Sequence, residues 1–121
     1  MKLSKHFDRS EFMCRGTCNC GCNTADSELV STLEIVRTHF GLPVRINSAF
    51  RCLEHNRSIG SKDTSMHVQG KAADIQVKDT NPETVYNFIN RHAPNTYGLG
   101  LYIEKGFVHV DVRSIKARWE G

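Results

Sequence analysis

Three residues of the sequence, His67, Asp74 and His109, have the side-chain types that hold a catalytic zinc ion. Such a site uses three protein ligands, typically imidazole nitrogens and a carboxylate oxygen, and leaves the fourth position open for water. Asp74 follows His67 by seven residues, and Gly70 between them permits the tight backbone path that would bring the two together. His109 stands between two valines in an alternating segment, so its side chain points to the opposite face from theirs. A zinc site is one interpretation; three unrelated surface and core residues are the other.

The cysteines form a second group of potential ligands: four crowd together and one stands apart, at Cys14, Cys18, Cys20, Cys22 and Cys52. An odd number of cysteines without an export signal argues against a secreted disulfide framework. Residues two apart in an extended segment are about 6.6 Å apart, which is near the upper limit for a disulfide bridge. We expect some of the first four, with Cys52, to form a second tetrahedral metal site that anchors the N-terminal arm. Free thiols, or a disulfide formed after release from the cytoplasm, are the alternatives.

Length, composition and charge limit the class of protein. The chain has 121 residues, of which 39% are hydrophobic and 24% charged, which predicts one domain over residues 1–121 and excludes intrinsic disorder. Residues 1–25 are rich in Cys, Gly, Asn and Thr and are expected to form an irregular arm. The net charge of +3 comes without a basic run, so nucleic acid is not an expected partner. We expect a monomer.

The sequence also bears on where the protein works. No apolar stretch approaches the length that spans a bilayer, so we expect no membrane insertion. The N-terminal residues turn polar at once and lack the apolar core of a signal peptide. We therefore expect synthesis in the cytoplasm, and any action outside it requires another route of release.

Hydrophobic spacing and turn residues predict the elements that must position these residues. Helices are predicted from residue 26 or 27 to about 40, over 52–60, and from 82, after an Asn81 cap, to about 92. Alternation predicts strands over 44–48 and 72–77 and a hairpin of 99–103 with 107–112, and the polar stretch 61–71 is a loop. This order, which ends in a hairpin, predicts an α+β fold with a mainly antiparallel sheet.

Three segments together resemble a known family. Residues 65–74 match the pattern S-x-H-x-x-G-x-A-x-D, residues 107–111 match a strand that carries H-x-D, and residues 48–51 match S-[GA]-[YF]-R. In this order they are similar to the signatures of the zinc D-Ala-D-Ala carboxypeptidases, which share a fold with the hedgehog signalling domain. The resemblance extends from about residue 4 to residue 119. It is strongest to the small single-domain peptidoglycan peptidases of phages and prophages.

The resemblance implies a zinc peptidase that cuts peptide bonds next to D-amino acids in peptidoglycan stem peptides or cross-links. It implies zinc held by His67, Asp74 and His109, and action on the cell wall after release by holin-like export or lysis. Arg51 is then expected to stabilise the oxyanion or clamp a substrate carboxylate, since a guanidinium donates two fixed N–H groups and keeps its charge. Ser65 either caps its loop or hydrogen-bonds in the site as a substrate-binding residue.

The resemblance leaves the general base open. Asp111 shares a face with His109, about 6.6 Å along the strand, and is the candidate for accepting the proton of the attacking water. Its alternative role is to accept a hydrogen bond from a ligand histidine and fix its tautomer. Other branches of the family carry Glu or His just before the second zinc histidine, where this chain has Gly106 and Phe107.

Two other functions remain as alternatives: an inert zinc-containing binding module of the same fold, and an enzyme that cuts free D-Ala-D-Ala. The choice between endopeptidase and carboxypeptidase depends on the shape of the groove. Tyr97, Tyr102 and Trp119 have side chains that could line such a groove, although aromatic residues at these positions are more often part of the core.

Overall fold

The structure is a computed structural model that describes residues 1–18 and 20–121. Over these residues the chain forms an α+β fold, as predicted. The helices are α1 (Ser27–Phe40), α2 (Leu53–Ser58) and α3 (Pro82–His92), and a short 3-10 helix at Arg9–Phe12 precedes them. The strands are β1 (Val44–Ser48), β2 (Ala72–Val77), β3 (Gly98–Tyr102), β4 (Phe107–Asp111) and β5 (Ala117–Glu120).

The five strands form one sheet in the order β1-β2-β4-β3-β5. All neighbouring pairs are antiparallel except β3 with β5, which are parallel, so the prediction of a mainly antiparallel sheet is confirmed. Strand β5 was not predicted, because its apolar and polar residues alternate over only four positions, Ala117–Glu120, which is the shortest run that indicates a strand. The guanidinium of Arg118 holds β5 in place by donating to the carbonyls of Ala93 and Tyr97, both at 2.7 Å.

Local sequence signals explain where the two long helices begin and end. The carboxylate of Asp26 accepts hydrogen bonds from the first turn of α1, and Gly41 ends the helix at a φ of 64°. Asn81 caps α3 in the same way, and Pro82 opens it. Helix α2 is shorter than the predicted 52–60, because Cys52 has extended backbone angles and caps the helix from outside it.

The hydrophobic core lies between one face of the sheet and helices α1 and α3. The strands contribute alternate residues such as Ile75 and Val108, both fully buried. The N-terminal arm departs from the expected irregular structure, because Phe7 and Phe12 also belong to this core and the 3-10 helix carries Phe12. None of the helices in the described part of the chain is long and apolar enough to cross a membrane.

Candidate metal centre

The sheet brings two of the three candidate zinc ligands side by side. Asp74 in β2 and His109 in β4 are directly opposite each other in the antiparallel pairing. Ser48, at the end of β1, is the partner of Asp74 on its other side. Since opposite residues in such a pair have Cβ atoms about 4.5–5.5 Å apart, the register alone places both side chains within reach of one ion.

His67 reaches the same place from the loop before β2. Its backbone N–H donates to the hydroxyl of Ser65 at 3.2 Å, and its carbonyl accepts from the N–H of Arg51 at 3.1 Å. These bonds tie the loop to the segment that follows β1. His67, Asp74 and His109 are all buried. The structure therefore brings together the three residues whose types suggested a zinc site.

The ligand atoms have separations that suit zinc. The Nε2 of His67 is 3.4 Å, and the Nδ1 of His109 is 3.1 Å, from the Oδ1 of Asp74. One ligand atom from each residue lies within 4.8 Å of the other two. Zinc bonds of about 2.0–2.1 Å in a tetrahedron place neighbouring ligand atoms about 3.3 Å apart. The three side chains therefore fit a zinc ion, and their role as ligands stays a prediction.

Hydrogen bonds determine which nitrogen of each imidazole is available to a metal. The Nδ1 of His67 is 2.6 Å from the carbonyl oxygen of Ala49. A carbonyl only accepts, so Nδ1 carries the proton and Nε2 keeps its lone pair. The Nε2 of His109 is 2.7 Å from the Oδ2 of Asp111 and donates to it, which leaves the lone pair of the neutral ring on Nδ1. In both rings the nitrogen with the lone pair is the one near Asp74.

The electrostatics of the cluster favour a bound cation. Burial opposes ionisation of Asp74, but hydrogen bonds from His109 and His67 outweigh it and hold the pKa of Asp74 well below its ordinary value. Burial also disfavours the charged form of His109, but hydrogen bonds to Asp111 and Asp74 raise its pKa above the ordinary value. Asp74 therefore keeps a negative charge that a divalent cation can neutralise, and a cation at the Nδ1 of His109 would replace a proton there.

Asp111 lies behind His109, away from the groove. Its side chain is 0% exposed, and its oxygens accept hydrogen bonds from His109, Gly98 and Arg113 at 2.7–3.2 Å. Burial opposes its ionisation, but the bonds from His109 and Arg113 keep the pKa of Asp111 well below its ordinary value. These contacts are the ones that the orienting role requires.

Arg51 lies at the edge of the cluster. Its Nη2 is 3.6 Å from the Oδ2 of Asp74, and its other nitrogens donate to Ser48 at 3.4 Å and to the fully buried Asn56 at 3.3 Å. Burial lowers the pKa of Arg51, and the charge of Asp74 partly offsets this. A guanidinium nevertheless remains charged at physiological pH, so Arg51 presents a fixed positive charge beside the three candidate ligands.

An open groove of about 640 Å³ runs over the cluster. The loop that carries Ser65 and His67 lines one side, and Tyr102 and Trp119 line the other. The indole N–H of Trp119 donates to the hydroxyl of Tyr102 at 2.8 Å, and the Trp119 ring is centred 5.1 Å from that of His109. Tyr97 lies elsewhere, buried in the core.

The groove is basic, and no pattern in the sequence indicated this. Its described lining includes four cationic side chains, Arg51, Lys62, Lys105 and Arg113, and Asp74 is the only carboxylate in it. Arg113 could have been found, since it follows His109 and Asp111 at a spacing of two and so shares their face of the strand. Lys62 and Lys105 gave no such signal, because they lie in a loop and a turn.

Comparison with protein families gives one match. A family model described as Peptidase M15 matches residues 5–111, which include every residue of the cluster and the segment that carries Arg51. Comparison with curated proteins gives no match.

Proposed function

The chain belongs to the peptidase M15 family and is a metallopeptidase, and we propose that it is a zinc enzyme that hydrolyses peptide bonds next to D-amino acids in bacterial peptidoglycan. The observation that carries the proposal is the convergence of two imidazole nitrogens and one carboxylate, all within 4.8 Å, at the floor of a groove. We further propose that it acts on the cell wall after release from the cytoplasm, as endolysins do.

In this proposal zinc is held by the Nε2 of His67, a carboxylate oxygen of Asp74 and the Nδ1 of His109. When bound there, zinc supplies Lewis-acid chemistry that activates water for attack on a peptide carbonyl near neutral pH. Three protein ligands would leave one coordination position for water or substrate, which suits a catalytic rather than a purely structural site.

The other residues of the cluster orient the ligands and handle charge. The carbonyl of Ala49 holds His67 in the tautomer that binds metal, and Asp111 does the same for His109. We propose this positioning role for Asp111 in preference to that of general base, because its buried oxygens are already engaged by donors. Arg51 points its guanidinium at the Asp74 edge of the cluster, where it can stabilise negative charge that develops on the substrate carbonyl.

The charge of the groove supports a peptide substrate that carries carboxylates. Peptidoglycan stem peptides have free carboxylates. Arg113 of the described lining is already paired with Asp111, but the other three basic side chains still outnumber the single acid of the lining. An open groove of about 640 Å³ can take an extended peptide, whereas an enzyme for a free dipeptide would need only a fraction of that volume. Shape and charge therefore both favour stem peptides or cross-links over free D-Ala-D-Ala.

Digestion of purified peptidoglycan, with mass analysis of the released fragments, tests this function. We expect new amine and carboxylate ends next to D-residues with the wild-type protein, and none with His67→Ala or His109→Ala. His92→Ala is the matched control, because His92 is an exposed histidine of α3 outside the cluster. Zinc binding without any hydrolysis would support the inert binding module, and activity on free D-Ala-D-Ala alone would support the dipeptidase.

A further inference from the structure

A second set of potential metal ligands lies outside the groove. The thiols of Cys14, Cys18, Cys20 and Cys52, here called the cysteine cluster, each place a sulfur within 4.8 Å of the other three. They come from two distant parts of the chain, three from the N-terminal arm and one from the residue before α2. The peptidase mechanism proposed above uses none of them. Cys22 is not one of the four, so this cluster contains three of the arm cysteines that the sequence offered as ligands together with Cys52.

The distances within the cysteine cluster match tetrahedral coordination. The sulfurs of Cys14 and Cys18 are 3.9 Å apart, those of Cys14 and Cys52 are 3.8 Å apart, and those of Cys18 and Cys52 are 3.3 Å apart. Zinc–sulfur bonds of about 2.3 Å in a tetrahedron place neighbouring sulfurs about 3.8 Å apart. A disulfide would bring two sulfurs to about 2.05 Å, whereas the shortest of these three separations is 3.3 Å.

The surrounding segment has little apolar packing to hold it. In the described part of residues 13–26 there is no helix or strand, and Cys14 is the one buried side chain. Outside the cysteine cluster, the guanidinium of Arg15 donates to the carbonyls of Ile46 and Asn47 at 3.1 and 3.4 Å. A segment that contributes almost nothing to the hydrophobic core needs another anchor to stay in one conformation, and a structural metal is a common one. The cluster sits where such an anchor would act, because Cys52 directly follows Arg51 and caps α2.

We propose that Cys14, Cys18, Cys20 and Cys52 bind a structural zinc ion that fastens the N-terminal arm to the segment carrying Arg51. Four thiolates fill all four positions of a tetrahedron and leave none open for water, so the site stabilises structure and performs no hydrolysis. The proposal does not rest on the peptidase function, since it concerns other residues and another part of the surface.

Cobalt(II) titration of the reduced, metal-free protein tests the ligands directly. Thiolate-bound cobalt gives an intense near-ultraviolet charge-transfer band that imidazole and carboxylate ligands do not give. We expect this band to saturate at one equivalent in His109→Ala protein, in which the other candidate metal site is disabled. In the same background, Cys18→Ser should give a weaker band that needs more cobalt to develop, because three thiolates remain, and the matched control Cys22→Ser should give the full band. Absence of the band from folded His109→Ala protein would overturn the proposal even if a cysteine variant fails to fold. Equal weakening of the band in Cys22→Ser would overturn the assignment of the ligands.

Limited proteolysis tests the fastening of the arm. Arg15 is exposed and lies between two of the ligands, so trypsin can cut after it once the arm is released. The comparison uses His109→Ala protein with and without zinc, so that the catalytic site does not contribute. We expect zinc to slow cleavage after Arg15 at least about tenfold, since cleavage follows the population of the open form. Equal rates with and without zinc would show that the metal does not hold the arm.

Discussion

Replacement of Asp111 by asparagine removes a buried negative charge and keeps the size of the side chain. All the groups that Asp111 contacts are donors: the Nε2–H of His109, the backbone N–H of Gly98, and three N–H groups of Arg113. Wherever the new amide nitrogen points, it therefore faces a donor. If the amide nitrogen faces His109, the two donors no longer conflict once the ring proton moves from Nε2 to Nδ1. Nδ1 is the nitrogen that would bind the metal, so its lone pair would be lost.

The size of the effect follows from these contacts. A hydrogen bond to a charged group contributes about 1.5–3 kcal/mol. Loss of the one from His109 to Asp111 should therefore weaken zinc binding by roughly ten- to a hundredfold, which is also the range for changes to groups that orient metal ligands. The substitution should also lower the free energy of unfolding, because Arg113 loses its ionised partner.

The assay measures two quantities on one preparation: the zinc dissociation constant, by competition with a chelator of known affinity, and the turnover number at saturating zinc. If Asp111 is a positioning residue, we expect the zinc dissociation constant to rise roughly ten- to a hundredfold and the turnover number at saturating zinc to change by less than about tenfold. Asp79→Asn is the matched control, because Asp79 is exposed and lies on a turn away from the groove. Unchanged zinc affinity, with turnover reduced by about a hundredfold or more, would refute the positioning role and restore Asp111 as the general base.

Three further outcomes follow from the structure. Arg51→Lys keeps the positive charge but loses the planar guanidinium with its several N–H donors. We therefore expect kcat/KM to fall by roughly ten- to a hundredfold while the zinc content stays the same. A fall in zinc content would mean instead that Arg51 supports the metal ligands. Gly100→Ala places a methyl group against the indole of Trp119, so we expect a lower kcat/KM. We also expect a shifted fluorescence spectrum, because Trp119 is the single tryptophan of the sequence. An unchanged spectrum would contradict the contact. Glu34→Gln tests pH dependence: burial opposes ionisation of Glu34, but hydrogen bonds from Ser4 and His6 lower its pKa. Because the pKa of Glu34 is lowered in the folded state, wild-type protein should have a higher free energy of unfolding than Glu34→Gln above about pH 5, and this difference should vanish as pH falls through the folded-state pKa. Urea unfolding at both ends of this pH range measures the difference. A difference that grows toward low pH would contradict the assignment.

Most of the fold could be predicted, because the two long helices and four of the strands carry local signals. Asp26 and Gly41 mark the ends of α1, and alternation marks β2 and β4. Strand β5 was missed, because its alternation covers only four residues; the side chain of Arg118 and the pairing with β3 hold it in place. The place of Phe7 and Phe12 in the core was also missed, since the apolar residues of this arm are few and follow neither a helical nor a strand period.

The candidate site was predictable as far as it depends on residue type and on the resemblance to a zinc peptidase family. The pairing of β2 with β4, which places Asp74 opposite His109, was not predicted. The partners of the ligands were harder to predict. The acceptor for His67 is a backbone carbonyl, that of Ala49, and a carbonyl carries no sequence signal. The basic side chains Lys62 and Lys105 meet in the groove only because of how a loop and a turn pack, which spacing along the chain does not reveal.

The backbone of residues 49–51 explains why the segment S-A-F-R accompanies the histidine of residue 67. The carbonyl of Ala49 accepts from the ring of His67, and the N–H of Arg51 donates to the carbonyl of the same residue, so His67 is held at both its side chain and its backbone. Between them, the N–H of Phe50 donates to the carbonyl of Phe12 at 3.2 Å and joins this segment to the N-terminal arm. Two of the three bonds position His67 and one positions the arm. A change that displaces this segment should therefore disturb the candidate metal centre and the arm together, even when it alters none of the three candidate ligands.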